Sequence, residues 1–222
     1  MSRSFQEVKR KEVSGVPGAF ILENVFSTDE IEKFIKVSES LQYQADAAVS
    51  LPRNVRHNDN VTWVVDEETD QIIWDRVGTL INSNTKIFND KSAVGINARF
   101  RFYRYKDGDY FDFHTDGSWP GSRVVNETLI HNHYLNQWSQ MTFLILLSEN
   151  FEGGATQFLT DNNSSPAPTR KLHDAKVNSV RMSAGSVLCF PHGNHPLHCL
   201  HASEQVTKGV KYIIRTDVLF EL

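Results

Sequence analysis

From Ile96 onward the chain changes its period. Upstream, apolar residues recur at helical spacing; downstream they alternate, or run together in short stretches punctuated by glycine and proline. A switch of this kind allows few architectures. Ala19-Phe20-Ile21-Leu22 reads as an early strand. Ser27-Thr28-Asp29-Glu30 has the form of a capping box, and Ile31, Phe34, Ile35 and Leu41 follow at helical intervals. Behind Asp66, the positions Ile72, Ile73, Val77, Leu80 and Ile81, with Trp74 beside them, mark the buried stripe of a second helix. A polar segment, Pro52 to Asn60, separates the two helices. Arg99-Phe100-Arg101-Phe102-Tyr103-Arg104-Tyr105 then has the two-residue period and aromatic content of a strand. Met141 to Leu147 is almost continuously apolar, as in a strand buried on both faces. Val187 to Phe190 and Lys211 to Phe220 are further strands. Two helices followed by many short strands predict a mainly β chain with some α: a jelly-roll sandwich with N-terminal helices packed on one outer face.

The 222 residues suit one domain. Residues 1–15, charged and polar, are expected to form a flexible tail. Residues 16–222 form the single domain, with supporting helices over 16–95 and the jelly-roll core over 96–222. Asn162 to Arg170 reads as a loop. So does Gly117 to Asn136, which is long for a connection and is therefore a candidate lid or substrate loop. The formal net charge of −4, with no long basic run, disfavours sequence-independent nucleic-acid binding. No stretch nears the ~20 apolar residues of a membrane span, and no apolar segment of a secretory signal is visible. The expected setting is cytoplasmic or nuclear, with Cys189 and Cys199 as free thiols in or near the core.

Chemistry concentrates at His114-Thr115-Asp116. Residues two apart on a strand point the same way, so His114 and Asp116 can face one point. Asp107-Gly108 supplies a turn just before the pair and sets it at a strand mouth. The segment His192 to His201 offers four histidines for a third ligand. His192 and His195 lie beside glycine and proline and read as loop; of His198 and His201, the latter fits better. The turn at Val206 to Gly209 then brings Lys211 into the next strand, ten positions on. Two imidazoles and one carboxylate form a ligand set that leaves positions free on an octahedral ferrous ion, for a chelating cosubstrate and for dioxygen. A lysine turned inward among Tyr212, Ile213 and Ile214 costs several kcal/mol unless paired, and an anionic cosubstrate would supply the pair. Arg215 shares Lys211's face by parity, so either cation could hold a carboxylate.

These residues resemble a family. Tyr105-Lys106-Asp107-Gly108-Asp109-Tyr110 with His114-Thr115-Asp116 resembles the Tyr-x-x-Gly-x-x-Tyr…His-x-Asp segment of the prolyl 4-hydroxylases, within the Fe(II)/2-oxoglutarate dioxygenases. Phe151-Glu152-Gly153-Gly154-Ala155-Thr156-Gln157-Phe158 is similar to their Glu-Gly-Gly-x-Thr-x-Phe turn. His201 with Val206, Gly209 and Lys211 is similar to their C-terminal motif, and Pro17 to Leu22 with the helix from Glu30 resembles their N-terminal part. The resemblance implies a double-stranded β-helix with Fe(II) on His114, Asp116 and His201, and with the tail carboxylate of 2-oxoglutarate on Lys211. It implies that Tyr105 donates to that carboxylate, assisted by Thr142, whose hydroxyl could equally be satisfied by backbone. It further implies O2-dependent hydroxylation of a C–H bond, with a protein prolyl residue as the default substrate, succinate and CO2 as coproducts, and ascorbate as a stimulant. Gln205 stands where the family has proline, and the stretch from Trp119 to Gln140 is longer; both departures bear on the substrate.

Trp119, Arg123 and Arg56-His57-Asn58 are candidates for recognising that substrate, a protein, a peptide or a small molecule. Two other classes compete: a jelly-roll binding module without turnover, and a cupin-like metalloenzyme that uses no 2-oxoglutarate. Lys211 speaks against the second.

Overall fold

The computed structural model describes residues 7–45, 52 and 54–221. In chain order the first half holds β1 (Lys9–Glu12), β2 (Phe20–Glu23), α1 (Thr28–Ser40), β3 (Arg56–His57), β4 (Asp59–Val64), α2 (Glu67–Ile81), β5 (Ala93–Ile96), β6 (Arg99–Tyr105) and β7 (Tyr110–His114). The second half holds β8 (Pro120–Val125), β9 (Thr128–Leu146), β10 (Phe151–Gly153), β11 (Thr156–Thr160), β12 (Lys176–Val180), β13 (Val187–Pro191), β14 (His201–Ser203), β15 (Val206–Gly209) and β16 (Lys211–Glu221).

A large antiparallel sheet runs β1-β2-β13-β9-β16-β6-β4, with β5 on β16 and β8 on β9. A smaller sheet runs β12-β11-β14-β7-β3. Together they make the jelly roll. Side chains alternate across the large sheet. On its outer face Phe20, Leu22, Phe100, Phe102, Phe143, Ile145 and Ile214 pack against Ile31 of α1 and Ile73 and Val77 of α2. On its inner face Ile21, Tyr103, Tyr105, Leu144, Leu146, Leu188 and Ile213 meet Phe158 of the smaller sheet. The helices thus cover one face, and the cavity opens on the other.

Both helices begin where their caps predict. Ser27 and Glu30 form the reciprocal capping box of α1, and the Asp66 side chain accepts from the Thr69 amide at 2.7 Å to cap α2. Two stripe positions are misplaced. Leu41 is the C-cap residue of α1 and is exposed, and Ile72 lies on the solvent side of α2.

Two expectations of irregular chain are corrected, and the polar segment between the helices carries strand as well. Lys9–Glu12, placed in a tail, pairs with Glu23 to Phe20 as an edge strand; backbone hydrogen bonds specify it, and charged side chains suit an edge. The polar segment before Asn60 contributes β3 and the start of β4. The supposed loop from Gly117 to Asn136 is mostly a β-hairpin of β8 and β9. Its two-residue turn, Asn126-Glu127, has φ of 47° and 63°, the left-handed pair that such hairpins need. An Arg123–Asp70 ion pair of 2.6 Å ties the hairpin to α2. Cys189 and Cys199 are buried free thiols. No helix among the described residues is long and apolar enough to cross a membrane.

Candidate metal centre

Strand register assembles the centre. His114 ends β7 and His201 opens β14, and the two are paired directly across the smaller sheet. Asp116 lies two residues past His114, turned inward and buried. One donor atom from each of His114, Asp116 and His201 falls within 4.8 Å of the others. His201 Nε2 lies 3.4 Å from Asp116 Oδ2, and His114 Nε2 lies 3.9 Å from Asp116 Oδ1. The other histidines of the 192–201 segment stay off this cluster: His195 bonds the Ile87 carbonyl, and His198 Nδ1 donates to the Gly193 carbonyl at 2.7 Å.

The donors are held in the form a metal needs. His114 Nδ1 donates to the Asp112 carbonyl at 2.7 Å, which leaves Nε2 unprotonated toward Asp116. The Phe111 ring stacks on His114 with centroids 3.5 Å apart, and Phe190 meets His201 edge-on at 4.7 Å. Burial, then the neighbouring His201, pushes the His114 imidazole down to about 3, so it is neutral at physiological pH. Burial alone would raise the Asp116 carboxyl; Arg215 and then His201 hold it well below the usual range instead.

Asp116 is gripped from one side by Arg215 and Thr142, both expected at a cosubstrate carboxylate instead, with residues behind them that the sequence did not flag. Arg215 Nε lies 3.1 Å from Asp116 Oδ2, and its other arm reaches Asp217 at 2.9 Å. Arg101 closes on the opposite oxygen of Asp217 at 2.7 Å. Thr142 donates to Asp116 Oδ2 at 2.7 Å. With its proton so committed, Thr142 Oγ1 accepts from His192 Nδ1 at 2.9 Å, and His192 Nε2 accepts from the Ser139 hydroxyl at 2.9 Å. Ser139 in turn accepts from the Trp119 amide at 2.8 Å. His192 is wholly buried, and burial pushes it down to about 4. Thr142 therefore does not assist Lys211. In register it faces Asp217, six residues along β16 from Lys211, or roughly 20 Å at the rise of a strand.

Lys211 is different in kind. It enters β16 opposite Tyr105 and is 2% exposed. Its ammonium donates to the Gly154 carbonyl at 2.7 Å and to Ser203 Oγ at 2.9 Å, and it has no carboxylate within ion-pair distance among the described residues. Burial, then Arg181, lowers it to about 7. Gly154 has φ of +65°, and a Cβ there would sit 3.2 Å from Lys211 Cδ, so only glycine presents this carbonyl without strain. Tyr105 is fully buried beside it, with Lys211 Nζ 5.1 Å from the ring centroid, and burial raises the phenol. His114, Asp116, His201, Tyr105, Lys211 and Arg215 all line one cavity of about 470 Å³. Of the substrate-recognition candidates, Arg56 and Trp119 line it, whereas Arg123 anchors the hairpin instead.

The donor set fits a ferrous ion: two imidazoles whose Nδ1 atoms face backbone carbonyls, one ionised carboxylate, and an open cavity in front. The cavity fits 2-oxoglutarate, because it holds a buried ammonium with no counter-charge among the described residues.

Comparison with known proteins agrees. A search of curated proteins finds no match. Among solved structures, the fold is similar to a viral collagen prolyl hydroxylase from Paramecium Bursaria Chlorella virus-1, solved with 2-oxoglutarate (14% identity, TM-score 0.54, covering 98% of this chain and 97% of that one). It is also similar to a Pseudomonas putida prolyl-4-hydroxylase (13%, TM-score 0.58, 92% and 93%). A third is a Trichoplax adhaerens prolyl hydroxylase in complex with a hypoxia inducible factor peptide fragment (16%, TM-score 0.60, 92% and 84%). At these identities the likeness is one of fold. The family model of the 2OG-Fe(II) oxygenase superfamily matches residues 100–216, more than half of the sequence, and the chain belongs to that superfamily: it is an Fe(II)- and 2-oxoglutarate-dependent dioxygenase.

Proposed function

We propose that this dioxygenase hydroxylates a C–H bond of its substrate, with a prolyl residue of a protein or peptide as the first candidate and succinate and CO2 as coproducts. The observation that carries the reading is one cavity holding both a His-Asp-His donor set and a buried, uncompensated ammonium. The prolyl part rests on resemblance in fold and motif alone. A small-molecule substrate is the alternative.

Each residue has a task in this reading. His114, Asp116 and His201 would hold iron, each imidazole offering Nε2 and Asp116 a carboxylate oxygen. Bound there with 2-oxoglutarate, iron supplies O2 activation coupled to oxidative decarboxylation. Lys211 takes the distal carboxylate of 2-oxoglutarate, and the Tyr105 hydroxyl stands close enough in the fold to add a donor. Arg215 keeps Asp116 ionised, and Thr142 fixes the direction of its Oδ2. Phe111, Leu144, Leu200 and Ile213 wall the cavity with apolar surface and limit water near the reacting centre.

The test is 2-oxoglutarate-dependent succinate release with Fe(II) and ascorbate, run beside a proteome-derived peptide library read by mass spectrometry for a gain of one oxygen. Hydroxyproline in a recurrent peptide context is the expected result. Succinate release without any oxidised peptide would point to the small-molecule alternative, and no succinate release at all would sink both.

A further inference from the structure

The charges around the metal cavity do not balance. Its lining carries Arg56, Arg101, Lys211 and Arg215 against one acid, Asp116. A neighbouring cavity of about 180 Å³ shares Arg101 and Trp119 with it and adds Arg99 and Asp217. Setting aside Arg56, which has a partner of its own, four cations face two carboxylates among the described residues. A ferrous ion and a 2-oxoglutarate dianion cancel one another, so the cofactors leave the excess in place. Asp116 and Asp217 are already committed, to Arg215 and to Arg101 and Arg215.

The excess is greatest at Arg99. It stands two residues from Arg101 on β6, on the same inward face. It is half-buried and forms no ion pair with any described residue. The two guanidinium carbons lie 5.5 and 5.6 Å from the centroid of the Trp119 ring, so one indole holds both at the cavity mouth. Burial, then Arg101, lowers the Arg99 guanidinium from its ordinary value. Arg101 Nε is buried without a hydrogen-bond partner. Two adjacent arginines, one without an ion pair among the described residues and the other with an unpartnered Nε, present donors to a negative group entering the mouth.

We infer that the substrate carries a carboxylate, and that Arg99 and Arg101 beside Trp119 form the seat that receives it while the rest of the molecule extends toward His114 and His201. That this seat serves the hydroxylated substrate rests on the function proposed above; the anion binding itself does not. A free acid and an acidic side chain in a peptide present the same group, and the fold leaves the mouth open to both.

The experiment uses the anaerobic Fe(II) protein saturated with N-oxalylglycine, a 2-oxoglutarate mimic, so that Lys211 is occupied. Binding is followed by calorimetry with two matched pairs of probes. One pair is acetyl-Ala-Pro-Glu-Ala-amide and its Gln counterpart; the other is N-acetylglutamate α-amide and N-acetylglutamine α-amide. In at least one pair the carboxylate member should bind roughly tenfold more tightly or better, as expected for a charge-assisted hydrogen bond. Arg99→Gln should erase the preference and Arg99→Lys should keep part of it. The pair that shows the effect tells whether the source is a peptide or a small acid. Equal binding within both pairs, or a preference that survives Arg99→Gln, overturns the inference. N-oxalylglycine affinity, measured separately, reports on the cofactor reading. Its failure together with an Arg99-dependent preference would fell that reading and leave the anion seat standing.

Discussion

Two charges are buried in one cavity, and the protein treats them differently. Asp116 is surrounded: a threonine hydroxyl and an arginine hold its Oδ2, and two imidazoles stand close by. Lys211 has two neutral oxygen acceptors and, among the described residues, no carboxylate within ion-pair distance. The first charge has been completed by the fold, because a metal needs a carboxylate with one fixed direction. In the proposed function the second is left incomplete because its partner, the 2-oxoglutarate carboxylate, would come and go with each turnover. In a buried setting, an unfinished charge marks where a ligand carries the opposite one.

Asp116→Ala tests the finished side and should have the largest effect. Iron binding and succinate release should fall to background. Retained iron-dependent turnover would mean that the donor set has been misassigned.

Lys211→Met tests the unfinished side. N-oxalylglycine affinity should drop roughly a hundredfold, the value of losing a charge-assisted contact in a dry site. The same change should raise the melting temperature of the ligand-free protein at pH 7 by roughly 5 °C, because it removes an uncompensated buried ammonium. The sign follows from linkage. The folded value lies near 7 and the unfolded value near 10.5, so the unfolded chain holds more protons between those limits. The cost of Lys211 is thus complete below about pH 7, and wild-type stability recovers as pH rises through that window. N-oxalylglycine binding should accordingly weaken as pH rises above about 7 in the wild type and show proton uptake by calorimetry. A pH-independent affinity from 6 to 9 would remove Lys211 from the binding step.

Thr142→Val should be milder, because Arg215 still holds Asp116. Iron affinity should fall about tenfold, with N-oxalylglycine affinity for the iron-loaded protein little changed. A loss confined to N-oxalylglycine would restore Thr142 to the cosubstrate side. Glu127→Gly, in the hairpin turn far from both charges, should stabilise the protein by about 1 kcal/mol, because glycine accepts φ of 63° without the penalty that glutamate carries. Neither affinity should move.

The legible parts of the chain were those governed by local period or fixed spacing. Residues two apart on a strand face one way, which gave His114 and Asp116; a turn of known length gave Lys211 from His201. The helix starts were written in their caps. What escaped depends on contacts across sheets. Parity put Arg215 on the face of Lys211, but it could not reveal that Asp116 closes on it. His192 read as loop, though it is wholly buried between Ser139 and Thr142. The hairpin from Pro120 was hidden because its exposed strands lack an apolar alternation and its turn has no glycine. Lys9–Glu12 was missed for a related reason: nothing in four charged residues encodes a pairing made by backbone alone.

The hydrogen bonds from the Trp119 amide through Ser139, His192 and Thr142 return to Asp116, only three residues before their starting point. They close a circuit with the chain itself. A carboxylate fastened into such a loop would offer iron an oxygen whose direction the chain itself has fixed. The stance of that side chain is set when the chain folds, before any reactant enters the cavity.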